Sequence, residues 1–169
     1  MMKRLFIFVF SLLVLLDSAH ATTVRRLSFD ELVAKAQMIV AGQVTDSTTY
    51  RTSDGKLILT SYTVQVGENI KGKAPATMTV TTIGGKLGNT ILRVSGMPQF
   101  QTGESAVLFL EKSGAYTTVV GLNQGKFSIS KGEISNTFTG LSFPDGNAAT
   151  PLKMPVDEFK RQIKLRITR

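Results

Sequence analysis

Apolar and polar residues alternate with a changing period along this chain, and the changes mark out its elements. An apolar run from Leu5 to Leu16 follows Met1-Met2-Lys3-Arg4 and stops at Asp17. A separate short amphipathic stretch begins at Ser28-Phe29-Asp30-Glu31, where a serine three residues before a glutamate is the signature of a capping box. It predicts a helix near 29–37 with Phe29, Leu32, Val33 and Ala36 on one side. From Met38 the period shortens towards two. Ile39, Val40 and Val44 form a strand pattern interrupted by Gly42, which predicts a bulge or tight bend. After the turn signal Thr52-Ser53-Asp54-Gly55-Lys56, Ile58, Thr60, Tyr62, Val64 and Val66 alternate against Leu57, Leu59, Ser61, Thr63 and Gln65, the longest strand in the pattern.

Further strands are predicted at Thr77 to Ile83, with Met78 and Val80 inward, and around Ile91 to Val94. Ala106 to Glu111 is apolar on both faces, as a central strand must be. Short strands at Tyr116–Val120, Lys126–Ser130 and Glu133–Ser135 follow, the last two joined by a Lys131-Gly132 turn. Turn signals recur every 8–15 residues or so, the rhythm of a barrel or sandwich. Leu141 to Met154 reads as irregular, and Pro155-Val156-Asp157-Glu158 opens a final helix near 156–166. Val156, Phe159, Ile163 and Ile167 share one stripe of that helix, while Lys160, Arg161, Lys164, Arg166 and Arg169 lie elsewhere on it. Two readings stand for these cations: complement to the helix dipole in a docked helix, or peripheral contact with an anionic membrane surface.

The basic start, short apolar run and small-residue end of residues 1–21 predict a secretory signal peptide cleaved after Ala21. The run falls short of the roughly 20 residues that a spanning helix needs. Removal would carry off Lys3, Arg4 and Asp17 and leave 148 of the 169 residues with a net charge of +7 in place of +8. It would also carry off His20, the single histidine, and the chain has no cysteine. Ser-His-Asp and Cys-His nucleophiles, His/Cys zinc sites, disulfides and haem ligation are thereby excluded from the mature chain, so its core must hold it unaided. The expectation is an exported protein, periplasmic or extracellular, with a domain over 22–140 and an irregular linker plus basic helix over 141–169.

The order Ala36-Gln37-Met38-Ile39-Val40-Ala41-Gly42-Gln43-Val44, Tyr62-Thr63-Val64 leading to Lys71-Gly72, Met78-Thr79-Val80-Thr81-Thr82, and Phe100-Gln101-Thr102-Gly103-Glu104 before Val107-Leu108-Phe109-Leu110 resembles the netrin-like domain. That fold also serves the tissue inhibitors of metalloproteinases. The resemblance covers roughly residues 28–112. It implies a mainly β protein: an OB-type five-stranded barrel with a short N-terminal helix, to which this chain adds extra C-terminal strands and a C-terminal helix. Family members usually carry paired cysteines, and the inhibitors bind a protease's zinc through an N-terminal cysteine. Here the end exposed by cleavage would be Thr22-Thr23.

Several motifs are better explained by structure than by chemistry. Gly67-Glu68-Asn69-Ile70-Lys71-Gly72-Lys73-Ala74 has P-loop spacing, but Ala74 replaces the magnesium-binding Ser or Thr and Pro75 follows. Ser53-Asp54-Gly55-Lys56 fits Ser-x-x-Lys, yet Asp-Gly makes a hairpin turn where that chemistry needs a helix. Asp30, Glu31, Asp157 and Glu158 occupy helix-start positions, and Glu68, Glu104, Glu111 and Glu133 show no convergent spacing for paired acids.

Binding by contact and charge is therefore the favoured function, with no cofactor and no metal. Lys56, Lys71, Lys73, Lys86 and Arg93, beside the glycine-rich loop containing Gly85, are expected to form an anion-attracting patch at one end of the barrel; a solvated basic surface is the alternative. The expected partner is a protein or an anionic envelope component, not nucleic acid. A second reading is inhibition of a secreted metalloprotease through Thr22 and Thr23, and a third is hydrolysis through carboxylates or a lysine.

Overall fold

A computed structural model describes residues 22–147 and 149–168. The expected signal peptide lies outside the described residues. The chain is mainly β, with two α-helices among those residues. In order, it runs β1 (Thr22–Thr23), α1 (Phe29–Lys35), β2 (Met38–Arg51), β3 (Ile58–Lys71), β4 (Thr77–Ile83), β5 (Gly85–Leu87) and β6 (Thr90–Leu92). There follow β7 (Ser105–Ser113), β8 (Tyr116–Val119), a 3-10 turn at Leu122–Gly125, β9 (Lys126–Ser130), β10 (Glu133–Ser135), β11 (Leu141–Ser142), β12 (Lys153–Pro155) and α2 (Val156–Ile167).

The capping box forms as expected: Ser28 accepts from the Glu31 amide, and the Glu31 carboxylate accepts from the Ser28 amide and from Arg25. The Ser28 amide, Arg25 and the Ser28 hydroxyl together hold the Glu31 carboxyl at about 2. At the other end of α1, the Lys71 ammonium donates to the carbonyls of Val33 (2.6 Å) and Ala34 (3.4 Å), where helix carbonyls lack partners.

Eight strands form one antiparallel sheet in the order β12-β10-β9-β7-β2-β3-β4, with β8 also on β7. β2 and β3, 14 residues each, pair from Ile39/Lys71 to Arg51/Ile58, with register shifts at Ile39/Val40, Ala41/Gly42 and Val44/Asp46. The bulge expected at Gly42 is the second of these. A Cβ there would lie 2.5 Å from the Gln65 carbonyl oxygen, so only glycine admits so close a crossing.

Central β7 is buried on both faces, and its alternation divides the core. Val107 and Phe109 join Leu32, Val33, Phe127, Phe159 and Ile163 beneath the two helices. Ala106, Leu108 and Leu110 join Val40, Val44, Tyr62, Val64, Met78 and Val80 inside the curl of the sheet.

The resemblance implied a barrel, and the sheet is not closed into one. β8 lies beside β4 without a hydrogen-bonded ladder between them, and it runs four residues before the chain turns away at Leu122–Gly125. The segment read as an irregular linker supplies β11, parallel to β1, and β12, antiparallel to β10.

α2 docks on the helical side: Phe159 and Ile163 are fully buried, whereas Ile167 is exposed. Its cations among the described residues are engaged within the chain, and Arg169 lies outside those residues. Lys160 and Lys164 reach Glu68 at 2.8 and 3.0 Å, holding its carboxyl below the usual range, Arg161 pairs with Glu158, and Arg166 pairs with Asp30. None of the helices among the described residues is long and apolar enough to cross a membrane.

Candidate functional site

Inside the curl, cross-strand rows grade from apolar to polar. Val44, Val64 and Met78 form one row, Ser47, Tyr62 and Val80 the next, and Thr49, Thr60 and Thr82 the last. Threonine suits a strand as well as valine does, so the hydroxyls enter without disturbing the pleat.

The chain after β4 turns back over the threonine row. The Gly84 amide donates to the Ile58 carbonyl at 2.8 Å, and the Thr60 hydroxyl donates to the Gly84 carbonyl at 2.6 Å. Since Thr60 spends its one proton there, Thr49, 3.1 Å away, donates to Thr60. Gly85 rests on these two side chains with φ +138°, and a Cβ would stand 2.3 Å from the Thr60 hydroxyl and 2.8 Å from the Thr49 methyl. Its role is close backbone approach, which seats the β5–β6 hairpin.

Between this hairpin, the threonine row and residues 93–100 lies a cleft of about 360 Å³. Lys86 on β5 and Arg93 just after β6 line it; both are exposed, and neither forms an ion pair with any carboxylate among the described residues. No Asp or Glu lines the cleft, and the exposed Ile83 and Ile91 complete its lining beside Lys86.

The inner wall is Phe100, whose ring meets Tyr62 edge-on at 4.8 Å. Behind it the Lys126 ammonium lies 4.5 Å from the ring centre, donates to the Gln99 carbonyl and pairs with Glu104 at 2.8 Å. Burial pushes the Glu104 carboxyl up, but hydrogen bonds from Lys126, Ser128 and the Gln101 amide outweigh it and hold the group below the usual range.

Tyr62 is only 7% exposed, and its hydroxyl has no hydrogen-bond partner among the described residues. The one sealed side-chain polar atom without a partner among those residues is Arg26 Nε, so the Tyr62 hydroxyl meets solvent, on the side where the residue lines the cleft.

Of the residues expected to form one patch, the structure brings together Gly85, Lys86 and Arg93. Lys56 is exposed in the turn between β2 and β3 and does not line the cleft, Lys71 is occupied at the end of α1, and Lys73 lines a different groove, between β4 and β8. Thr22 and Thr23 are paired with β11: the Thr22 nitrogen donates to the Gly140 carbonyl at 3.0 Å, and its hydroxyl donates to the Ser95 carbonyl. The P-loop-like segment is strand from Gly67 to Lys71, followed by a turn in which Asn69 brackets Ala74.

Sequence reasoning missed the hydroxyl floor of Thr49, Thr60 and Thr82. Its signal was the placing of Thr60 on the same alternating face as Tyr62 and Val64. Among the described residues, no group of three His, Cys, Asp or Glu is arranged to hold a metal ion. Comparison with known proteins found no family model, no curated protein and no solved structure that matches this chain.

Proposed function

We propose that this chain is an exported, non-enzymatic binding module, periplasmic or extracellular, which holds an anionic group of its partner in the cleft. In this reading β2, β3, β4, β8 and β7 form a netrin-like barrel of the OB type with an open seam, and the loops at its polar end do the binding. The observation that carries it is the pair of unpaired cations, Lys86 and Arg93, on a cleft lined by hydroxyls and free of carboxylates. Cations facing such a lining attract an anion, and the Tyr62 and Thr82 hydroxyls, whose protons no acceptor among the described residues takes, supply the donors that orient it. The inhibitor reading draws no support from Thr22, whose nitrogen is bonded to Gly140.

Titration of the isotope-labelled protein with inorganic phosphate and with glucuronate tests the proposal. Amide resonances of Gly84–Leu87 and Arg93–Val94 should move, and the affinity should fall about tenfold or more in a Lys86→Ser/Arg93→Ser double variant and with rising salt. Equal affinity in wild type and variant would overturn it.

A further inference from the structure

A second concavity, of about 600 Å³, follows the unladdered seam between β4 and β8. The geometry points to this groove as a binding site for an acidic oligosaccharide, one whose sugars include uronic acids. It is separate from the cleft, since no residue lines both.

One wall is built for hydrogen bonding. Thr77, Thr79 and Thr81 succeed one another on the same side of β4, and Thr77 and Thr79 are exposed. The Ser61 hydroxyl donates to the Tyr50 phenol oxygen at 3.2 Å and lies 3.2 Å from the Thr81 hydroxyl, so one side chain from each of β2, β3 and β4 is tied into a chain. That coupling fixes Tyr50 before any ligand arrives.

Across the seam, Tyr116 on β8 is 41% exposed with no hydrogen-bond partner for its hydroxyl among the described residues. Two phenol rings with polar tips suit a pyranose, which has an apolar C–H face and a polar rim. Lys73 and Lys112 also line the groove, without an ion pair among the described residues, and no Asp or Glu does. They supply the charge complement that selects an acidic sugar.

A peptide fits less well, since one adding to the free side of β4 would need the place that β8 already takes.

The test is a titration of the isotope-labelled protein with hexagalacturonate, with neutral maltohexaose and with a thymidylate hexamer. Expected are shifts in the amide resonances of Thr77–Ile83 and Tyr116–Val119 with hexagalacturonate. The affinity read from these groove resonances should fall about tenfold in Tyr116→Ala and several-fold in Lys112→Ala, both exposed positions that leave the core intact, while Lys86→Ser/Arg93→Ser leaves the groove affinity at its wild-type value. Unmoved groove resonances, equal binding of maltohexaose, tighter binding of the thymidylate hexamer, or wild-type affinity in both groove variants would overturn the assignment.

Discussion

The two sides of the central sheet treat polar groups in opposite ways. On the helical side Lys71 and the cations of α2 are matched: Glu68 takes Lys160 and Lys164, Glu158 takes Arg161, Asp30 takes Arg166, and Lys71 takes the free carbonyls of α1. Beneath them Phe29, Phe109, Phe127 and Phe159 pack with ring centres 4.6–6.2 Å apart. At the polar end of the curl, by contrast, Lys86 and Arg93 lack a carboxylate, and the Tyr62 hydroxyl a hydrogen-bond partner, among the described residues. Charged and hydroxyl groups are found where they are satisfied or where something else will satisfy them. One side accounts for itself within the chain; the other leaves cations and hydroxyls open to solvent, as the proposed binding role requires.

Truncations at matched depth break this comparison most sharply. Phe159 is fully buried against three other rings, so Phe159→Ala should destabilise the fold by about 3–5 kcal/mol in urea unfolding. Thr82 is 4% exposed at the polar end, and its hydroxyl bonds to nothing among the described residues, so Thr82→Ala should cost about 1 kcal/mol or less. Similar losses at the two sites would show that the polar end bears as much of the stability as the helical side does.

The helical side was also the more legible from sequence. The capping box, the two-faced apolar run of β7 and the Phe159/Ile163 stripe each follow from a short-range pattern, because burial dictates the residue there. The polar end was legible only in part. Gly85, Lys86 and Arg93 stand out as cations beside glycines, but Thr49, Thr60 and Thr82 look like ordinary strand surface until pairing brings them into a row. Likewise the stretch from Thr45 to Thr49 has no apolar alternation, and it is strand because β3 pairs with it from Asp46 onward, past the register shift at Thr45. Lys71 was misplaced for a reason of length. It stands eleven residues beyond Thr60 on one continuous strand, about 35 Å away at the usual rise.

Lys126 and Glu104 sharpen the comparison, because they sit behind the cleft wall yet are matched like the helical side. Glu104→Gln leaves Lys126 without its anion and should cost about 1–2 kcal/mol at pH 7. The folded carboxyl titrates below its unfolded value, so its stabilisation is present in full above the ordinary glutamate pKa of about 4.3 and is lost as the pH falls through the lower folded value. The gap between variant and wild type should therefore close on acidification. A gap that persists at low pH would mean that Glu104 acts by shape and not by charge.

The smallest effect separates two lysines that looked alike in sequence. Lys71→Met removes the donor to Val33 and Ala34 and should cost about 0.5–1.5 kcal/mol, since two carbonyls at the end of α1 lose a charged partner. Lys86→Met removes a cation that touches no acceptor among the described residues and should change stability by about 0.5 kcal/mol or less, while weakening phosphate binding at the cleft. The two readouts should thus cross: Lys71 moves the unfolding midpoint and not the titration, Lys86 the titration and not the midpoint. Were both to move stability alone, the unpaired cations would be part of the fold, and the division between a self-sufficient side and an open one would have no physical basis.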